Sequence, residues 1–206
     1  MRKHSLQTAA TGVLIATGVV AIAASALAQA LPQNLRGTVK SISGTSLVLK
    51  PKSGPAVTIT LAPAWGVTAM KSVAVDAIQT GSFIGTTTFE KADGTGRSLE
   101  VHVFPPGVKI GQGHYPWDLK PHSMMTNGDV GKVVAGRKGR TIEVAYPGGT
   151  HTIMVPNNVP VVTITPGDRA MIKPGVKVFI MSTKAPDGSL AADRILVGDN
   201  GAAPPM

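Results

Sequence analysis

The chain has no cysteine. Disulfides, thiolate metal ligands and a cysteine nucleophile are therefore excluded. Aromatic residues are scarce, with two Trp, two Tyr and four Phe in 206 residues, so a core must be filled by Val, Ile, Leu and Ala. Small β-barrels can be filled this way. The aromatic stripe that stacks successive bases in a single-strand binder is missing. Acidic residues are few, 11 against 20 Lys and Arg, and several stand at turn positions (Asp93, Asp168, Asp187), which disfavours hydrolysis by paired carboxylates. The chain also lacks a Gly-x-Ser-x-Gly elbow, a Walker loop and a dinucleotide fingerprint. These absences argue against an enzyme. The surplus of positive charge is scattered. Only Lys132, Arg137, Lys138 and Arg140 cluster, around the hairpin turn Gly136 to Gly139, where charge mostly solvates a turn. Nucleic acid is disfavoured as a partner.

Beyond the N-terminus no apolar run is long enough to span a membrane, which takes ~20 residues. The N-terminus itself reads as a secretory signal over residues 1–28. Arg2, Lys3 and His4 precede an apolar run at 13–24, followed by Ala26-Leu27-Ala28 and Ala28-Gln29-Ala30. These small-x-small steps place cleavage before Gln29 or Leu31 and the protein in the periplasm or outside the cell.

The rest of the chain says one thing twice. Residues 37–105 and 128–199 each open with Gly-x-Val (Gly37-Thr38-Val39; Gly128-Asp129-Val130). Each reaches an Ile-x-x-Gly step (Ile78 to Gly81; Ile172 to Gly175) and then an Asp-Gly turn (Asp93-Gly94; Asp187-Gly188). Alternation of apolar and polar residues predicts strands at 38–43, 46–50, 57–61, 82–89 and 99–103 in copy one. It predicts strands at 129–134, 141–145, 151–155, 176–183 and 194–197 in copy two. Residues 63–76 read as irregular with a short helix near 74–78, and 161–164 as extended. Five strands with a long connection between the third and fourth is the order of an oligonucleotide/oligosaccharide-binding (OB) barrel. Copy two carries Ile172-Lys173-Pro174-Gly175 and Asp187-Gly188-Ser189-Leu190-Ala191-Ala192-Asp193-Arg194-Ile195. With these motifs the chain resembles bacterial exported OB-like domains of unknown function that occur in tandem. The resemblance implies an all-β protein of two tandem five-stranded OB-like barrels, 37–105 and 128–199. An ordered Pro/His/Met-containing linker at 106–127 would join them, and a flexible tail at 200–206 would follow. Such a chain is expected to be a non-enzymatic binding or scaffold protein of the envelope, its partner an envelope protein or a small ligand.

The linker holds the unusual chemistry. His114, Tyr115, Trp117, Asp118, His122, Met124 and Met125 fall within a few residues, and a flexible linker would not spend aromatics in this way. One reading packs Trp117 between the barrels, with Met as gap filler. The other is a soft-metal site, because imidazole and thioether suit Cu(I). In residue types it is similar to small periplasmic Cu(I)/Ag(I)-binding OB proteins of metal-efflux systems, which implies His122, Met124, Met125 and His114 as ligands and Trp117 as a capping aromatic. His151-Thr152-Ile153-Met154 is a weaker candidate, since its spacing puts His151 and Met154 on opposite faces of a strand.

Overall fold

The computed structural model describes residues 31–199 and 203–206. The segment read as a signal peptide and positions 200–202 lie outside the described residues. Strand propensity is realised almost throughout. Twelve strands run in order: β1 Leu31–Ser43, β2 Ser46–Pro51, β3 Val57–Ser72, β4 Phe83–Glu90, β5 Gly96–Val103, β6 Gly113–Trp117, β7 Ser123–Gly136, β8 Gly139–Tyr146, β9 Gly149–Pro156, β10 Val161–Pro166, β11 Lys177–Lys184 and β12 Leu190–Gly198. The repeated motifs become matching turns. Thr95 donates its N–H and hydroxyl to Asp93 Oδ1 (2.9 and 2.6 Å), and the Ser189 N–H donates to Asp187 Oδ1 (2.9 Å). Gly94 and Gly188 take the positive φ (76° and 84°) that such turns require.

Strand pairing departs from the expectation that each copy closes on itself. One five-strand barrel is β12-β11-β1-β2-β3, closed by β3 against β12 in parallel. It combines the first three strands of copy one with the last two of copy two. A second circuit runs β5-β4-β7-β8-β9, closed by the parallel pairs Gly96 with Ile153 and Arg97 with Met154. The copies have thus exchanged their last two strands. The exchange is fixed by two equivalent backbone clamps. Gly175 N donates to Val39 O and Val39 N to Val176 O, each 2.9 Å; Gly81 N donates to Val130 O and Val130 N to Ser82 O, each 2.8 Å. The Ile-x-x-Gly step of each copy grips the Gly-x-Val strand of the other. Gly37 and Gly128 must be glycine here, because a Cβ would strike the carbonyls of Lys50 and Ala145 on the neighbouring strands.

The segment at 63–76, read as irregular, is mostly strand, because β3 continues to Ser72. Only Val75–Ala77 is helical, as a single 3-10 turn. The extended reading of 161–164 holds as β10, which pairs antiparallel with the far end of β3 and parallel with β5, joining the two rings. The linker is not a separate flap. Its second half begins β7, which pairs with β4 from Ser123 to Asp129.

Alternation fills each interior. Leu47 and Leu49 of β2, Ile59 of β3 and Ile180 of β11 are fully buried in the first ring. Ile84, Val101, Ile142, Val144 and Ile153 are fully buried in the second. A third cluster, Met70, Val162, Phe179 and Leu196, draws on both copies. On the face that His102 shares with Val162 by register lies a buried polar pair. His102 Nε2 stands 2.7 Å from Glu100 Oε2, both side chains at most 1 % exposed. Thr87 donates its N–H and hydroxyl to Glu100 Oε1 (2.8 and 2.6 Å).

Two outcomes are expected. Residues 31–105 expressed alone should stay unfolded by circular dichroism, since β1 to β3 lack their closing partners; a cooperatively folding fragment would contradict the exchanged pairing. Glu100→Ala should cost about 3–5 kcal/mol in urea denaturation, because removing one member strands the other groups in the interior. A loss below about 1 kcal/mol, the scale of an exposed pair, would show that this pair carries no structural weight.

Candidate functional site

The second ring is apolar at one end and polar at the other. Along β4 the inward positions run Ile84, Thr86, Thr88; along β9 they run Val155, Ile153, His151. Thr86, Thr88 and Thr126 are fully buried, Ser98 is 1 % exposed and His151 9 %. The hydroxyls are partnered. Thr86 Oγ1 and Ser98 Oγ lie 2.8 Å apart, and both also reach the Glu100 carbonyl (2.6 and 3.0 Å).

Around this polar floor stand His114 of β6, Tyr146 of β8, His151 of β9 and Glu90 of β4. His151 Nε2 lies 3.0 Å from Glu90 Oε2, and Thr88 Oγ1 donates to Glu90 Oε1 at 2.6 Å, holding the carboxylate in place. The His114 and His151 ring centroids are 4.7 Å apart, and His114 stacks on Tyr146 at 6.0 Å. His114 Nδ1 is 2.9 Å from Thr126 Oγ1, leaving Nε2 as its second ring nitrogen. Gly96 makes room for this group, since a Cβ there would meet His151 Nε2 and Thr88 at 2.8–3.0 Å. Burial, reinforced by the neighbouring His151, lowers the His114 pKa against a smaller upward pull from Glu90.

The linker residues separate. In the β6–β7 pairing His114 lies opposite Thr126 and Pro116 opposite Met124, while Tyr115 lies opposite Met125 and Trp117 opposite Ser123. His114 and Met124 thus share one face, and Met125 and Trp117 the other. Met125 is buried and Met124 half-buried. His122 is exposed on the turn before β7 with φ +60°. Trp117 is half-buried against the third cluster, its ring 6.3 Å from Phe179 and 6.4 Å from Tyr115. Next to it, Asp118 receives Arg36 through both guanidinium nitrogens (2.8 and 3.1 Å) and the Asn34 amide (2.9 Å). Partial burial pushes the Asp118 carboxyl up, but these hydrogen bonds and the Arg36 charge outweigh it and hold it below the usual carboxylate range. Among the described residues no three His, Asp or Glu side chains are arranged to hold a metal ion.

Sequence reasoning gave weight to the linker and little to Glu90, Thr88, Ser98 and Tyr146. Their signal was present: hydroxyl residues stand at inward positions of β4 and β5 where the alternation elsewhere supplies Ile and Val. On β9 His151 is buried and Met154, on the opposite face, half-buried. Comparison with protein-family models, curated proteins and solved structures finds no match to this chain.

The lowered pKa of His114 gives a signed expectation. The unfolded chain takes up this proton near pH 6.5 and the folded protein only at lower pH. Folding stability is therefore lost as pH falls from 6.5 through the folded value, and is fully present above 6.5. His114→Gln keeps a partner for Thr126 but removes the titration. Urea midpoints measured between pH 7.5 and 5 should fall less steeply in the variant than in the parent. Parallel curves would show that burial of His114 carries no penalty.

Proposed function

We propose that the chain is an exported, non-enzymatic binding protein of the bacterial envelope, with its ligand site at the polar end of the second ring. The observation that supports this reading is the buried set Thr86, Thr88, Ser98, Thr126 and His151 beneath the accessible His114, Tyr146 and Glu90. Burying so many polar groups is costly unless they are satisfied, and a ring of this size is as readily filled by Ile and Val. The Thr86 and Ser98 hydroxyls hydrogen-bond each other and the Glu100 carbonyl, Thr88 bonds Glu90 and Thr126 bonds His114, so they serve as a fixed floor and not as free nucleophiles. Such a floor suits a small polar ligand or an inserted polar side chain. The export reading rests on the N-terminal sequence, and no helix of the described residues is long and apolar enough to cross a membrane.

A second reading, soft-metal handling, is favoured by one observation: His114 and Met124 share a face beside His151. In this reading the imidazoles and the thioether hold Cu(I), and His122 and Met125 belong to the set drawn from the linker sequence.

Both readings are tested by titration. Histidine side-chain NMR signals should shift at His114 and His151, and not at His122, when a panel of hydroxylated small molecules is added; shifts confined to other surfaces would remove the site. For the metal, a Cu(I) titration against a competing chelator should give about one ion per chain. Binding should be lost in His114→Ala/Met124→Ala and weaken as acid protonates the imidazoles. Loss in His122→Ala/Met125→Ala alone would place the ion in the linker set instead. No retention by the parent would end the metal reading.

A further inference from the structure

On the first ring, away from the polar mouth, three strands present one basic row. Lys50 of β2 lies opposite Thr38 of β1, and Thr38 opposite Lys177 of β11, so the three side chains share the outer face. With Lys52 and Arg36 they line a groove of about 570 Å³ in which no lining residue is acidic. The other wall is the chain's own tail, Ala203 and Pro204. Arg36 donates from Nε to the Met206 carbonyl at 2.6 Å while its charge lies 4.8 Å over the Phe179 ring. Met206 and Trp117 both pack against the third cluster. The Trp117 indole N–H is buried there with no hydrogen-bond partner.

We propose that this groove is a docking site for an extended, acidic, proline-bearing peptide segment of a partner protein, and that residues 203–206 lie along it and narrow it when the partner is absent. Three features carry the assignment. Ala203 and Pro204 already lie along the groove, with Met206 anchored by Arg36 and by the third cluster, and proline-bearing segments are low-entropy chains that grooves receive well. Lys50, Lys52 and Lys177 line the groove with no acidic residue among its walls, Arg36 being already paired with Asp118, and the tail brings no acidic side chain, so the tail fits by shape and leaves the lysine charge unanswered. An orphaned buried donor beside Phe179 offers a hydrogen bond that the tail does not take. The site is independent of the second-ring mouth, since it shares none of that mouth's residues.

The test uses fluorescence anisotropy with labelled acetyl-Glu-Glu-Ala-Pro-Pro-Met. The parent is compared with a variant ending at Gly198 and with Pro204→Gly/Pro205→Gly, which loosens the tail without removing it. Either tail variant should bind the acidic peptide at least about tenfold more tightly than the parent, as expected when a built-in competitor is removed. Lys50→Glu/Lys177→Glu in the tail-free chain should weaken binding at least about tenfold, with circular dichroism unchanged because both side chains are exposed. Arg137→Glu/Lys138→Glu, on the second ring, should leave binding within about twofold. The proposal is overturned if neither tail variant gains affinity, or if the Arg137/Lys138 variant weakens binding as much as the groove variant. It is equally overturned if acetyl-Glu-Glu-Ala-Gly-Gly-Met binds as well, which would leave charge alone.

Discussion

The structure depends on one pair of backbone clamps, Val39 with Gly175 and Val176, and Val130 with Gly81 and Ser82. Through them each copy completes the ring of the other. The physical cause lies in β3. β3 runs sixteen residues, with an irregularity against β12 where Ala192 pairs with Leu61 and Arg194 with Gly66, and carries the chain from the β2 hairpin to the seam between the rings. A flexible connection at 63–76 would have let the fourth strand return beside the first. β3, which stays extended through Ser72, delivers it to the other ring. The second copy behaves in the same way with a break, since β9 ends at Pro156 and β10 resumes the path that the second half of β3 takes in copy one. Both chain paths cross at the β3–β10 pairing, and neither half then has a complete sheet of its own.

The exchange also explains where polar groups are buried. The seam between the two rings has few aromatic side chains to cover it. Phe179, Met70, Val162 and Leu196 cover part of it. Glu100, His102 and Thr87 lie on the opposite face of the strands from the second ring's core, Thr87 donating to Glu100 Oε1 and His102 Nε2 standing 2.7 Å from Glu100 Oε2. Such a set adds little net stability over well-packed hydrocarbon, but its partners must meet in one register. β5 bears Val101 toward the second ring's core and Glu100 and His102 toward the seam, so a one-residue slip would reverse both faces.

Local structure was legible in the sequence and strand partnership was not, for a specific reason. The alternation at 46–50, 141–145 and 151–155 and the two Asp-Gly turns depend on neighbours in sequence, and they appear where expected. Partnership depends on which Gly-x-Val strand meets which Ile-x-x-Gly step, and both copies carry both motifs. The pattern is degenerate, and the continuation of β3 through residues 63–72, hidden by Pro63 and Gly66, breaks the tie. The linker was legible as ordered because Tyr115 and Trp117 are too costly for a tether. Its side chains were harder to place: residue type grouped His114, His122, Met124 and Met125, whereas the β6–β7 register divides them by face.

β6 itself shows how order is imposed on a short segment. It pairs along one edge only, with β7, and carries Pro116, which removes a donor. Five residues held by one ladder are marginal on their own. Side chains at its two ends supply the rest, and they reach different rings. His114 stacks with Tyr146 and His151 of the second ring, while Trp117 packs on Phe179 and the following Asp118 takes Arg36 and Asn34 of the first. The same Arg36 holds the Met206 carbonyl. The arrangement of the polar mouth and the seating of the tail are therefore built on contacts of one five-residue strand and the residue after it.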